Sequence, residues 1–236
     1  MLRLFVIIVL LLFGNLNAER LYINIEFKGL KVADVEINYN QDEISVFAKS
    51  TLLANLFSYR FENSYIINTN ENFIPDTYIK KVNQHNFTEN TVTIYDYNAL
   101  KAVRKDLKNG ELDTFRIFDD TRDFFSALFY LRKVDLFKTN TFTIDNVGKI
   151  SKITSRFLSS ESIKTPLGLK KTIKVAISFE LIDEKPSGRS DILTNNLVKP
   201  ENTLLFWFTE DDQRIPVKAI YTMKKLSVNW FVKEIK

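Results

Sequence analysis

The sequence predicts a mainly β protein: a large curved antiparallel sheet or partial barrel of about ten strands, with one mid-chain α-helix packed against it. Two observations carry this prediction. Several runs alternate apolar and polar residues with a period of two, as strands with one solvated face do. A single segment has helical spacing instead. Clean polar-out alternation is typical of antiparallel sheets, and large sheets usually curl or close.

The N-terminus has the order of regions typical of a secretory signal. Met1–Arg3 is cationic, Leu4–Phe13 is an unbroken apolar run, and a short stretch then ends at the small residue Ala18. The run is short for a membrane-spanning helix, which needs about 20 residues. We therefore predict a signal peptide over residues 1–18, a single β-rich domain over residues 19–236, and a periplasmic location. An uncleaved membrane anchor is the alternative.

Composition narrows the classes of function. The chain has 236 residues and no cysteine, which excludes thiol catalysis, thiolate metal sites and disulfides. Its formal net charge is +4, and lysine and glutamate are interspersed along the chain, so we expect no nucleic-acid partner. Composition leaves the oligomeric state open.

Strands in the first half follow from alternation. Residues 21–27 and 33–39 each carry apolar residues at every second position, and Lys28–Lys31 reads as the turn between them. The same pattern continues over residues 44–48 and 92–94. These segments predict strands with one buried face.

The segment Asp119–Lys133 predicts the helix. Its apolar residues Phe124, Leu128 and Leu131 recur at helical spacing. Asp120 or Thr121 can cap its start, since short polar side chains accept hydrogen bonds from the free N–H groups there. We expect a helix of about three to four turns with a broad aromatic face.

The second half alternates more cleanly, over residues 173–179, 217–223 and 226–232. Leu204–Phe208 is almost purely apolar and predicts a buried strand. The acidic turn that follows leads to Pro216, which lacks an N–H donor and so suits the start of a strand.

Two loops interrupt these strands. Thr165–Gly168 has proline second and glycine fourth, as a tight type I turn prefers. The longer loop Asp183–Asn202 contains Pro186, Gly188 and Pro200 and has little periodicity. A mobile surface excursion and a functional lid are both open interpretations of it.

Residues that carry chemistry are scarce. His85 is the only histidine, and no glycine-rich phosphate loop or Gly-x-Ser-x-Gly motif occurs. Asp119, Asp120 and Asp123 fit a role at the helix start, and Glu210–Asp212 fits a solvated turn. We therefore expect no enzymatic activity, no cofactor and no metal.

The aromatic content is the anomaly of the sequence, with 20 Phe, 9 Tyr and 2 Trp. It predicts either a large filled core or an apolar cavity within the curved sheet, since ligand sites favour barrel mouths and aromatic linings. For the cavity, the candidate ligand-binding residues are Phe124, Phe125, Leu128, Phe129 and Trp207.

Three motifs resemble the bacterial exported-protein family catalogued as domain of unknown function 3108. They are the helix motif (Asp123, Ser126, Ala127, Tyr130, Arg132), the turn motif (Thr165, Pro166, Gly168) and the hairpin motif (Trp207, Asp211, Asp212, Arg214, Pro216, Val217). The resemblance is specific in the second half of the chain. It implies a fold and an exported location, and it brings no catalytic residues.

We therefore expect an exported, non-enzymatic binding or carrier protein of the bacterial cell envelope, with a lipid or other apolar molecule as its candidate ligand. The alternative is an envelope structural or adaptor protein that binds another protein through a sheet edge or an aromatic patch.

Overall fold

The computed structural model describes residues 18–40, 42–56, 60–183, 191, 194, 198, 200–223 and 226–236. These residues form a 14-stranded sheet and two helices, α1 (Leu52–Leu56) and α2 (Phe124–Leu131). The strands are β1 (Glu19–Phe27), β2 (Leu30–Asn40), β3 (Glu43–Ser50), β4 (Phe61–Thr69), β5 (Pro75–Gln84), β6 (Phe87–Asp96), β7 (Lys101–Asp106), β8 (Leu112–Arg116), β9 (Asn140–Asn146), β10 (Lys149–Thr165), β11 (Gly168–Asp183), β12 (Thr203–Thr209), β13 (Pro216–Met223) and β14 (Leu226–Ile235). The predicted signal peptide lies outside the described residues except for Ala18.

The sheet is an antiparallel meander in which the first and the last strands are neighbours at the centre. Its strand order is β8-β7-β6-β5-β4-β3-β2-β1-β14-β13-β12-β11-β10-β9. The first strand pairs with the last, with Leu21 opposite Ile235 and Phe27 opposite Val228. The two edge strands, β8 and β9, are therefore consecutive in sequence.

The segment 117–123 brings those edges together. The Arg122 N–H donates to the Thr143 carbonyl at 3.0 Å, and the Asp145 N–H donates to the Arg122 carbonyl at 2.7 Å. On the other side, the Ile117 N–H donates to the Leu100 carbonyl at 3.1 Å. The sheet thus curls until the connection between its edge strands bridges them, and the predicted fold class is confirmed.

The predicted number of strands was too low. The missed strands include β4, β5, β7 and β8. Their inward positions hold polar residues such as Asn63, Lys80, Arg104 and Asp113, which are buried or half-buried. Because both faces of these strands are partly polar, the alternation that marks a strand in sequence is absent.

The helix is shorter than predicted and begins later. Its N-cap is Asp123, not Asp120 or Thr121, and its last residue is Leu131 rather than Lys133. Asp123 and Ser126 form a capping box, in which each side chain accepts the other residue's backbone N–H. Residues just before Asp123 are excluded from the helix because the backbone of Arg122 is already paired with β9.

The helix α2 lies between two parts of the core. Phe125 and Phe129 pack with buried residues of β1 to β4. Ala127, Leu128 and Leu131 pack with buried residues of β9 to β13. The helix is therefore buried around most of its circumference, and only Phe124 and Tyr130 are partly exposed.

Two predicted turn features are present. Pro166 and Leu167 connect β10 to β11, and the Thr165 hydroxyl accepts the Leu167 N–H at 3.1 Å. Gly168 has φ of +93°, a backbone conformation that favours glycine. Pro216 is the first residue of β13, as its missing donor requires.

Candidate functional site

The inner face of β4, β5 and β6 is partly polar. Tyr65 on β4 lies directly opposite Lys80 on β5, and Lys80 lies opposite Thr91 on β6. Cross-strand partners project to the same face of a sheet. The Lys80 side chain is 3% exposed, and Tyr65 is fully buried. A lysine is thus placed inside the curved sheet, where an unpaired charge would be very costly.

Asp191, from the long connection between β11 and β12, supplies the countercharge. The Lys80 Nζ lies 2.7 Å from Asp191 Oδ2 and 3.2 Å from Glu89 Oε2. The Tyr65 hydroxyl donates to Asp191 Oδ1 at 3.0 Å. The backbone N–H and hydroxyl of Thr194 also donate to the Asp191 carboxylate, at 2.8 and 2.7 Å. This connection is therefore anchored within the sheet at Asp191.

The electrostatics favour an ionised carboxylate at Asp191. Burial alone would raise its pKa, but the Lys80 ammonium and the hydrogen bonds from Thr194 outweigh burial and hold the pKa below its usual value. Burial and the nearby Asp191 charge raise the pKa of Tyr65 well above its usual range. Tyr65 therefore stays a neutral phenol, and its hydroxyl can donate a hydrogen bond to a carboxylate.

The aromatic face of α2 adjoins this polar group. The Phe125 ring lies 5.0 Å from the Tyr65 ring, measured between centroids. Phe129 lies 4.8 Å from Tyr39 and 5.9 Å from Phe73. Tyr65 marks the boundary, since its ring packs against Phe125 while its hydroxyl donates to Asp191. The interior changes from apolar to charged across this one side chain.

A second buried acidic group lies where the edges of the sheet meet. Asp145 on β9 accepts the Tyr95 hydroxyl at 3.0 Å and the Gly148 N–H at 2.6 Å. Burial raises the pKa of Asp145 to about 6, against these hydrogen bonds, which lower it. Burial also raises the pKa of Asp123. Asp145 holds the backbone at Gly148, and Asp123 caps α2 together with Ser126, which gives both carboxyls a structural role.

The predicted helix residues come together in the core. Phe125, Leu128 and Phe129 are buried, and Phe124 is half-buried with its ring 5.5 Å from that of Phe125. Their position is compatible with a filled core and with the wall of a ligand site. The assignment of these residues to a ligand stays a prediction.

Trp207 has a different environment from the helix phenylalanines. Its indole N–H donates to Glu161 Oε1 at 2.6 Å. Its ring lies between its two cross-strand partners, with Lys174 Nζ at 4.8 Å and Lys218 Nζ at 4.6 Å from the ring. Within the described residues, no ring contact joins Trp207 to α2. The two lysines form favourable cation–π contacts with the indole ring. These contacts give Trp207 a structural role that needs no ligand.

Sequence reasoning missed the polar group of Lys80, Glu89 and Asp191. Lys80 is followed by a second lysine in a strand without clean alternation, and Asp191 lies in a loop without periodicity. Tyr65 and Asp191 are 126 positions apart. No local pattern could have signalled their contact.

Two further observations concern metal ligands and membrane-spanning helices. Within the described residues, no group of three or more His, Cys, Asp and Glu side chains is arranged to hold a metal ion. Nor does that part of the chain contain a helix long and apolar enough to cross a membrane. His85 lies exposed in the turn between β5 and β6.

Comparison with known families identifies the chain. The family described as "Protein of unknown function (DUF3108)" matches residues 21–225, which is most of the sequence. The chain belongs to this family. A search of curated proteins finds no significant match.

Three solved structures are similar to this chain to different degrees. A β-barrel-like protein of domain of unknown function DUF1849 from Brucella abortus is similar with a TM-score of 0.57 and 9% identity, over 93% of this chain and 97% of that one. A protein from Parabacteroides distasonis, classed provisionally as a lipoprotein, has a TM-score of 0.37 and 13% identity, over 93% and 95% of the two chains. A protein from Bacteroides fragilis, classed provisionally as exported and with a YmcC-like fold, has a TM-score of 0.36 and 10% identity, over 92% and 95%. At 9% identity, the similarity to the Brucella protein shows a shared fold and carries no information on function.

The structure gives the DUF3108 helix motif physical roles. Asp123 and Ser126 cap α2. Tyr130 stacks under the guanidinium of Arg122, 3.6 Å from its ring centroid. Arg132 makes a bidentate ion pair with Glu19, at 2.9 and 2.6 Å. The motif thus fixes both ends of the helix to the sheet.

The hairpin motif is also structural. Asp211 accepts the backbone N–H groups of Gln213 and Arg214, both at 3.2 Å. The Arg214 guanidinium donates to the Val134 carbonyl, beyond the end of α2. The acidic turn therefore organises its own backbone and helps to hold the helix.

Proposed function

We propose that this DUF3108 protein is an exported, non-enzymatic binding protein of the bacterial envelope, located in the periplasm, and that its ligand is an amphipathic molecule with an apolar chain. The observation that carries the proposal is the division of the interior at Tyr65. On one side lie the aromatic residues of α2, and on the other lies the ion-paired group of Lys80, Glu89 and Asp191. In this proposal an apolar chain contacts the first side, and a polar head group contacts the second.

The buried charges support binding rather than packing alone. Replacing a buried ion pair by apolar residues of similar volume is often neutral or stabilising, so such a pair is weak evidence of a purely stabilising role. Buried charged groups also recur at functional sites. Lys80 and Asp191 are more economically explained as the polar end of a ligand site than as core.

The same arrangement argues against catalysis by this group. The Lys80 Nζ is ion-paired with two carboxylates, and its side chain is only 3% exposed. The single histidine is exposed in a turn away from them. We therefore propose a binding protein without enzymatic activity.

Native mass spectrometry of the protein purified from its own envelope tests the proposal. A co-purifying molecule with an acyl or other apolar chain is the expected result. Phe129→Ala should reduce its occupancy through the apolar side, and Asp191→Asn should do so through the polar side. Leu169→Ala, at an exposed site, is the matched control. A protein that carries no small molecule, and binds none from an envelope lipid extract, would exclude the proposal.

One observation favours the alternative, an adaptor that binds another envelope protein. Phe137 and Phe157 form an exposed aromatic pair with centroids 5.2 Å apart, and Leu158 beside them is also exposed. Larger contiguous apolar patches mark contact sites with other proteins, and this aromatic pair would form part of such a patch. The adaptor hypothesis predicts a stoichiometric protein partner that Phe157→Ser removes, whereas the binding-protein hypothesis predicts no effect of that change on ligand occupancy.

A further inference from the structure

One end of the sheet carries exposed leucines on three separate connections. Leu30 follows the β1–β2 turn, and Leu107 and Leu112 flank the β7–β8 turn. The β3–β4 connection contains α1, where Leu52 and Leu56 are 84% and 81% exposed and Leu53 is also exposed. We call these six residues the leucine rim (Leu30, Leu52, Leu53, Leu56, Leu107, Leu112).

The pairing of the strands places these connections at the same end. The Thr51 N–H donates to the Val32 carbonyl at 2.9 Å, which sets the start of α1 beside the start of β2. The Leu107 N–H donates to the Asn90 carbonyl at 2.8 Å, near the start of β6. Since β2 and β6 both begin at this end of the antiparallel meander, the rim follows its curve from β1 to β8.

Basic residues are interspersed with the leucines. The three connections contain Lys28, Arg60 and Lys108, against one acid, Glu111. All four side chains are exposed. Among the described residues, none of the three cations forms an ion pair with a carboxylate. The rim therefore combines protruding apolar side chains with available positive charge.

Three connections at the opposite end carry more acids than bases. The connections β2–β3, β4–β5 and β12–β13 contain the acids Asp42, Glu71, Glu210, Asp211 and Asp212, all exposed. The exposed leucine on the β10–β11 arm, Leu169, lies beside Glu210 and Asp211. Arg214 lies in the same β12–β13 connection, and Lys170 and Lys171 lie beside Glu210 and Asp211. An anionic surface would thus attract the rim more strongly than these acidic turns, which favours one orientation of the molecule.

We propose that the leucine rim docks on an anionic phospholipid membrane surface. Exposed apolar side chains inserted to a shallow depth, next to lysine and arginine that meet lipid phosphates, are the chemistry of interfacial membrane binding. The leucines lie on the tips of three separate connections rather than around a groove, and a flat, deformable lipid surface can accept all of them together. This docking does not depend on a ligand inside the sheet.

Site-specific fluorescence tests the proposal, because the chain has no cysteine of its own. A polarity-sensitive dye is attached at Leu56→Cys in one sample and at Asp212→Cys, at the opposite end, in another. Vesicles of phosphatidylethanolamine and phosphatidylglycerol should shift the emission of the first dye to the blue and leave the second unchanged. The two samples use the same full-length chain and differ only in the position of the label. The comparison therefore holds whether or not the N-terminal apolar run is removed.

Two variants make the result specific. Leu52→Ser should weaken vesicle binding of the rim about ten-fold, as expected for the loss of one inserted leucine. Leu169→Ser, whose leucine is 74% exposed at the other end, should leave binding unchanged. Raised salt and neutral phosphatidylcholine vesicles should each weaken the shift at position 56, since the attraction is partly electrostatic.

Several results would overturn membrane docking. They are no shift at position 56 with anionic vesicles, equal shifts at both positions, and equal effects of Leu52→Ser and Leu169→Ser. If the emission at position 56 shifts only when a lipid-free protein extract is added, the rim binds a protein partner instead.

Discussion

Lys80 on β5 and Asp191 on the β11–β12 connection form a buried ion pair, with 2.7 Å between Nζ and Oδ2. The lysine side chain is 3% exposed and the aspartate is fully buried. Glu89 and Tyr65 complete the group. The pair is thus a polar link between the connection and the strands of the first half of the chain.

Removing the cation should be strongly destabilising. Lys80→Met leaves Asp191 and Glu89 in the interior without their countercharge, and we expect a loss of about 3–5 kcal/mol in the free energy of unfolding. Urea denaturation measures it. Lys49→Met is the matched control, because Lys49 pairs with Glu62 at 3.5 Å on the exposed surface, and such pairs contribute about 0–1 kcal/mol. Similar losses in the two variants would contradict a buried pair.

The raised pKa of Asp145 predicts that stability falls as pH rises. An acid that is ion-paired in the folded state has the opposite effect. Its pKa of about 6, raised by burial, lies above the value of about 3.9 in an unfolded chain. Between these values the folded state binds the extra proton, so stability falls as pH rises from about 4 to about 6. Above pH 6 the ionised carboxyl costs about 2–3 kcal/mol.

Asp145→Asn should remove that cost while its side-chain oxygen still accepts the Gly148 N–H. We expect the variant to gain stability over the wild type as pH rises through this window, with little difference near pH 4. Urea denaturation at several pH values measures it. Asp123→Asn serves as a comparison, because burial also raises the pKa of Asp123. A difference between wild type and Asp145→Asn that does not vary with pH would refute the assignment.

The fold class could be predicted because strands in the second half of the chain alternate apolar and polar residues. Strands such as β13 put apolar residues inward and polar residues outward, so their period is visible. In β5 the inward positions include Lys80 as well as Val82. A lysine within a strand is expected to face solvent, and here the carboxylates of Glu89 and Asp191 stabilise its inward position.

The helix boundaries were mispredicted for a related reason. Asp120 and Thr121 are good capping residues by composition, but both take part in joining the sheet edges. The Thr143 hydroxyl donates to Asp120 Oδ1 at 2.7 Å and lies 2.8 Å from the Thr121 hydroxyl. Tertiary contacts of this kind decide between equivalent caps, and local sequence does not contain them. The aromatic residues of α2 were found because their spacing is local.

The ion pair between Arg132 and Glu19 is compatible with the proposed cleavage of a signal peptide after Ala18. Its bidentate geometry, at 2.9 and 2.6 Å, holds Glu19 as the first residue of β1. We expect signal-peptide cleavage after Ala18, so N-terminal sequencing should start at Glu19 or within a few residues of it. Cleavage well beyond Glu19 would remove a conformational restraint on α2. Recovery of Met1 on a membrane-bound protein would support the anchored alternative.

The same pair gives a stability test that is independent of export. Arg132→Lys keeps the charge but loses the two-point hydrogen bonding, and hydrogen bonds to charged groups contribute about 1.5–3 kcal/mol. We expect a loss of about 1–2 kcal/mol in the free energy of unfolding. Lys133→Arg, at the exposed neighbouring position, should have almost no effect.

Phe129 distinguishes a ligand site from a filled core. Its ring packs against Tyr39 and Phe73, and it is 2% exposed. If these aromatic residues surround space for an apolar chain, a fatty acid or an apolar dye should bind at about one site per molecule. At a hundred times its dissociation constant, such a ligand should add about 2.7 kcal/mol to the free energy of unfolding.

Phe129→Trp then separates the two cases. In a ligand site the larger ring occupies part of the space, so dye affinity should fall while stability without ligand stays level or rises. In a close-packed core the same ring overpacks its neighbours, which costs about 1–3 kcal/mol, and the wild-type protein should bind no dye. Leu52→Trp, at an exposed position of α1, controls for the added indole. Overpacking without dye binding would exclude the carrier function and favour the adaptor, since a filled interior leaves only outer surfaces for recognition.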